Sequence, residues 1–140
     1  MVLSCVAVEE GINYFNLRST ALKVCKTLNV RFDTLERYYN PIKQRIVLPD
    51  DNQDDIYAGG YILRRYDDGF VSIEMRNAYV DINLKDEAQQ NAFYKDTTKM
   101  FVFAAMSGNR VEADSIAKLL KKQFTGTKII ASKLYMGCMN

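Results

Sequence analysis

The chain has 140 residues, enough for one ordinary domain whose core needs no staples. Hydrophobic residues make up 48% and charged ones 26%, with 7 glycines and 2 prolines, which excludes a disordered, collagen-like or low-complexity chain. The formal charge of +2 selects no partner, because a dedicated nucleic-acid domain carries a stronger basic bias.

Val2–Val8 is short, β-branched and apolar, the composition of a buried strand. After Gly11, apolar residues recur at Leu17, Ala21, Val24 and Leu28, one face of a helix, with Asn16 as N-cap and Asn29 as its stop. Val30–Tyr39 has strand composition and breaks at Asn40-Pro41; Ile42, Ile46 and Leu48 then alternate with Lys43, Arg45 and Val47. Pro49 to Asp55 reads as an acidic loop. Tyr61–Tyr66 and Phe70–Met75 flank Asp67-Asp68-Gly69, the pattern of a β-hairpin. Ala78–Leu84 predicts another strand, and Asp86 the cap of a short helix running to about Tyr94. Met100–Met106 is apolar enough for a central strand. Ala113, Ile116, Ala117, Leu120 and Phe124 form a clean helical stripe opposite Glu112, Lys118, Lys121 and Lys122. Thr125-Gly126 ends that helix, and Lys128–Met136 predicts the last strand.

Val2 to about Phe32 and Met100 to Met136 share a strand–loop–helix–strand plan, which suggests either a faint duplication or two units built alike. The expected architecture is a single α+β domain over 1–140. It has a mixed or antiparallel sheet of about six to seven strands with two main helices packed on one face.

No run approaches the roughly 18 apolar residues of a membrane span, and the N-terminus lacks the basic start of a signal peptide. Cys5, Cys25 and Cys138 are too few and too scattered for a disulfide framework or a CxxC unit; Cys5 and Cys25 read as small core residues. The expectation is a reducing cytoplasm and no membrane partner.

The chain contains no histidine, which removes Ser-His-Asp and Cys-His nucleophiles, His metal sites and the commonest general base near neutral pH. Asp50, Asn52 and Asp54 stand at positions 1, 3 and 5 of a calcium loop, but Asp55 replaces the turn glycine and Tyr61 the bidentate glutamate. Pro49-Asp50 followed by Glu74-Met75-Arg76 resembles the PD-(D/E)xK arrangement of metal-dependent nucleases, with an arginine that gives up no proton where that arrangement uses lysine. No catalytic residue, metal site or cofactor is expected.

Two phosphate-binding candidates remain. At Ser107-Gly108-Asn109-Arg110 a strand meets a helix N-terminus, where free amides and the dipole favour an anion; the competing reading is that Ser107 or Asn109 simply caps the helix. Lys43 and Arg45, with Arg64, Arg65 and Tyr66, make a basic and aromatic face if their strands adjoin. Lys118, Lys121, Lys122, Lys128 and Lys133 form a second basic region.

These residues favour a non-enzymatic binding or assembly protein acting through a sheet or helix face, as a homo-oligomer or with a protein partner. An accessory, adaptor or virion component, viral or phage, fits that description. The alternative is a nucleic-acid or nucleotide-phosphate binder, and a metal-dependent hydrolase comes third.

Overall fold

The computed structural model describes residues 2–49, 59–64 and 69–133. The strands are β1 (Val2–Gly11), β2 (Arg31–Phe32), β3 (Tyr38–Asn40), β4 (Arg45–Val47), β5 (Phe70–Met75), β6 (Met100–Ser107) and β7 (Lys128–Lys133). The helices are α1 (Tyr14–Leu28), α2 (Glu87–Lys95) and α3 (Arg110–Lys121), with a 3₁₀ turn at Arg76–Ala78. The fold is α+β: a five-stranded mixed sheet in the order β2-β5-β6-β1-β7, and a separate β3-β4 hairpin.

β1 and β6 are the central pair, antiparallel, and β5 and β7 flank them antiparallel to their neighbours. β1 therefore runs parallel to β5 with β6 between them, and β6 parallel to β7 with β1 between them. Two β-α-β units, each split by a strand of the other, interlock in this way. The similarity expected between two segments is real at the level of topology. The first unit, however, closes on β5 rather than on the segment directly after α1. That segment, β2, is a two-residue edge strand parallel to β5.

Local chemistry explains the helices. Asn13 Oδ1 accepts from the Phe15 and Asn16 amides, so the cap of α1 is Asn13, one turn before the expected Asn16. Asn29 ends α1 in the left-handed conformation, φ 57°, which asparagine tolerates. Asp86 caps α2 and Asn109 caps α3.

Three strand expectations are corrected. Residues 61–64 form no ladder with β5; they lie beside it and bond to it through side chains, so the expected hairpin is absent as far as 61–64 are concerned, and residues 65–68 lie outside the described set. Ala78–Leu84 is not a strand but a turn with one bridge, Asp81 to Ser132, on the outer edge of β7. Val30–Tyr39 splits into β2 and the start of β3, because a tight turn at 34–37 intervenes, closed by the Arg37 amide on the Thr34 carbonyl. β7 is described through Lys133 only.

Alternation along the strands gives the sheet two buried faces. Val6, Val8, Val71, Ile73, Val102 and Ala104 face α1 and α3, whose Leu17, Ala21, Val24, Ala113 and Leu120 complete that core. Leu3, Cys5, Ala7, Phe101, Phe103 and Ile130 face the other way, under Tyr79, Leu63, Ala78 and Phe93 of α2. Residues 33–49 and 59–64 pack along the β5 edge: Ile46 joins the first core, and Arg37 reaches the second face. The two stretches are tied to each other by Leu48 N to Gly60 O at 2.7 Å and Gly59 N to Leu48 O at 3.0 Å.

Candidate functional site

Glu74 is fully buried, at a β5 position that faces the second core. Arg37 donates to it bidentately, Nη1 to Oε1 at 2.8 Å and Nη2 to Oε2 at 2.7 Å. The Tyr61 hydroxyl at 2.7 Å and the Arg64 amide at 3.2 Å also donate to Oε1; the Tyr79 hydroxyl lies 3.1 Å from it and gives its proton to the Arg64 carbonyl at 2.6 Å. Arg37 is further held by the Thr34 and Ile62 carbonyls, both at 3.0 Å. Burial pushes the Glu74 carboxyl up, but the Arg37 hydrogen bonds and charge, with those of Ser72 and Tyr61, outweigh it and hold it below its ordinary value. Burial, then the Glu74 charge, pushes both tyrosines well above theirs.

At neutral pH this centre is a closed ion pair between two neutral phenols. Oε1 is crowded by protein donors and Oε2 is held by Arg37, so the carboxylate is committed within the protein. Among the described residues no group of His, Cys, Asp and Glu is placed to hold a metal ion. The nuclease-like pairing of Asp50 with Glu74 thus loses Glu74 to Arg37, while Asp50 and the rest of the acidic loop through Asp55 lie outside the described residues. Cys5 beside this centre is pushed up to about 12, chiefly by burial, which keeps its thiol protonated and unreactive. Cys25 is half-buried, and Cys138 lies outside the described residues.

Among the described residues the strand-borne basic face does not come together. Arg64 is 2% exposed, its guanidinium 3.8 Å over the Phe70 ring and its Nη1 3.0 Å from Ser72 Oγ. It is a core residue, because the two-sided sheet needs a cover that its aromatic-stacked cation supplies. Arg65 and Tyr66 lie outside the described residues. Lys43 is exposed in the β3-β4 turn, its Nζ 3.4 Å from the Gly59 carbonyl. Arg45 is half-buried on β4, which pairs with β3 alone. The structure does not bring Lys43, Arg45 and Arg64 onto one surface.

At the β6–α3 junction, Asn109 Oδ1 accepts from the Val111 amide at 2.9 Å and the Glu112 amide at 3.4 Å, and Ser107 Oγ accepts from the Asn109 amide at 2.9 Å. Arg110 pairs with Asp114 at 3.0 Å, and Glu112 adds a negative charge to the first turn. Gly108 is exposed with open space around it. The amides an anion would use are taken by the cap.

What the sequence reading passed over is the outer face of the α1/α3 layer. Core-facing residues recur at offsets 0, +4, +7 and +11 from Leu17, the last, Leu28, being half-buried. Two positions earlier the same offsets give Phe15, Ser19, Leu22 and Lys26, all exposed. In α3, Ala113, Ala117, Leu120 and Phe124 point inward, and the matching outer stripe is Val111, Ser115, Lys118 and Lys122. Phe15 is 70% and Val111 73% exposed, with Leu22 and Leu119 beside them. α1 carries Arg18, Lys23 and Lys26 and no acid; α3 and the following Lys122 carry four cations against Glu112 and Asp114. The layer therefore has a net charge of +5 in a chain that sums to +2. Arg18, Lys23, Lys26, Lys118, Lys121 and Lys122 make no ion pair among the described residues. Lys118 and Lys121 also line a groove of about 470 Å³ between α3 and β7.

Lys128, counted from sequence in the second basic region, also lines that groove and reaches toward Glu10 at 3.7 Å and the Phe101 ring. Lys133 is exposed at the end of β7. No helix of the described residues is long and apolar enough to cross a membrane. Comparison with known proteins yields no match: no family model fits the chain, and neither a curated protein nor a solved structure is significantly similar to it.

Proposed function

We propose that this chain is a non-enzymatic binding and assembly module that works through the outer face of its α1/α3 layer. One observation carries the reading: both faces of the sheet are covered, whereas that helical face combines protruding apolar side chains with six cations that make no ion pair among the described residues. Exposed Phe15, Leu22, Val111 and Leu119 cost apolar burial that a partner recovers. The cations steer and select an anionic partner. The commitment of Glu74 within the protein argues against a hydrolytic role for it.

The cations also favour a second reading, a nucleic-acid or nucleotide-phosphate binder that uses these lysines rather than Arg64. Size-exclusion chromatography with light scattering, read at 260 and 280 nm at low and high salt, tests both. The chain has 9 tyrosines and no tryptophan, so bound nucleic acid stands out at 260 nm. A complex or oligomer that Phe15→Ser with Leu119→Ser dissolves supports the assembly reading. A 260 nm signal that salt strips away supports the second. Binding or assembly left unchanged by those two substitutions refutes the helical face as the working surface.

A further inference from the structure

We propose that α2 is a strap latched over the second face of the sheet, one that opens as a unit while the rest of the fold stays closed. The inference is independent of the helical-face reading, because it concerns the opposite side of the sheet.

The three helices are held very unequally. α1 buries Leu17, Ala21 and Val24, and α3 buries Ala113 and Leu120. α2 buries none of its nine residues; Phe93 is half-buried and the other eight are exposed. A helix of this length is marginal in water unless packing holds it, and here the packing is one aromatic ring on the second core. Hollows of about 400 Å³ and about 360 Å³ lie along the helix, the first lined by Ala92 and Phe93 and the second by Gln90 and Tyr94. A segment with so little buried apolar surface opens locally at a fraction of the free energy of global unfolding.

What keeps the strap down is Arg76, just past β5. Its guanidinium lies 4.2 Å over the Phe93 ring, and its Nη2 is 3.6 Å from Asp96, the residue that ends α2. Lys99 adds a second cation to Asp96 at 3.7 Å. Arg76 is itself tied to the sheet through Glu10 of β1 at 3.2 Å. One side chain thus joins the apolar anchor of the strap, the charge at its C-terminal end and a central strand.

The latch is built to be weak. Asp96 and Glu10 keep 27% and 28% of their side-chain surface in solvent, so water and salt screen both ion pairs. Arg76 Nε is buried with no hydrogen-bond partner among the described residues, a cost to the closed state that opening returns to water. Opening lifts Phe93 from its seat and bares that end of the second core without disturbing α1 or α3, which pack on the other face.

Hydrogen exchange of the full chain under native conditions, read by mass spectrometry of peptic fragments, tests this. In wild type the hydrogen-bonded amides of α2 are expected to exchange about 100-fold faster than those of α1 and α3, yet more slowly than an unstructured peptide. Asp96→Asn keeps an oxygen for the Thr98 amide and hydroxyl but removes the charge. It is expected to speed exchange in α2 alone several-fold, as is raising salt from about 0.05 M to 0.5 M. Phe93→Ala is expected to abolish protection of α2 while α1 and α3 keep theirs. Phe93→Leu replaces it, with a smaller effect, if far-UV circular dichroism shows that the whole chain has unfolded. Tyr94→Ser, at an exposed ring of the same helix, is expected to change nothing. Exchange of α2 no faster than that of α3, or only together with it, overturns the proposal. So does exchange at the unstructured rate in wild type, which leaves nothing latched, or an α2 rate that neither Asp96→Asn nor salt alters.

Discussion

Replacing Arg37 by methionine is the sharpest perturbation of this fold. The substitution keeps a long apolar stem but removes both hydrogen bonds to Glu74 and those to the Thr34 and Ile62 carbonyls. It leaves a carboxylate without its counter-charge at a fully buried site. Breaking a buried pair by removing one partner costs about 3–5 kcal/mol. For a chain of this size that is a fall in Tm on the order of 10–15 °C. The loss carries a pH signature. In wild type the Glu74 carboxyl is held below its ordinary value, so its contribution is present above the unfolded value of 4.5 and fades as pH falls through the folded one. In the variant, burial acts without Arg37, the carboxyl rises instead, and protonation relieves the buried charge at low pH. The gap between the two proteins is therefore large at pH 7 and shrinks toward pH 4. Urea unfolding followed by far-UV circular dichroism at several pH values reads both quantities. A difference below about 1 kcal/mol at pH 7, or one equal at pH 4 and pH 7, refutes the argument that the charged pair clamps residues 33–37 and 61–64 to the sheet.

Three further outcomes follow from the geometry. Arg64→Ala, which removes a cation stacked 3.8 Å over Phe70 and a bond to Ser72, is expected to cost about 2–3 kcal/mol, whereas Lys118→Ala changes stability by less than about 0.5 kcal/mol; equal effects in chemical denaturation contradict the interior placement of Arg64. Asn109→Ala removes the acceptor for the Val111 and Glu112 amides and is expected to cost about 1 kcal/mol in the same assay, with no change expected if water caps α3 equally well. Glu36→Gly relieves a left-handed residue, φ 62°, in the turn that presents Arg37, and is expected to stabilise by up to about 1 kcal/mol; a lower Tm shows that the turn is not strained.

The strand-face expectation for Lys43, Arg45 and Arg64 shows where composition misleads. Arg64 and Lys118 are equally basic in sequence, yet one lies under the sheet and the other in solvent. Glu74 sits at a polar position between apolar ones on β5, a pattern that normally marks a solvated face. Here that face is covered by Tyr79 and residues 61–64, so the polar position became the acceptor of a buried network. Arg37 and Tyr79 drew no attention because their partner lies elsewhere in the chain. The local hint was a polar residue at every second position of β5, Ser72 and Glu74, amid an otherwise apolar strand.

The sequence by itself determined the helices, the caps of α2 and α3, the central strand and the α+β class, while the α1 cap lies at Asn13 rather than at the expected Asn16. Each rests on interactions within a few residues: Asn13, Asp86 and Asn109 bond to amides two or three positions on, and the stripes of α1 and α3 follow the helical repeat. Tertiary structure alone decided the order β2-β5-β6-β1-β7, the covering of both sheet faces, the Arg37–Glu74 pair across 37 residues and the gathering of cations on one helical layer. Those depend on which surfaces meet. Period and propensity say that a strand or helix has an apolar face, but the free energy that selects its partner is summed over contacts far apart in the chain.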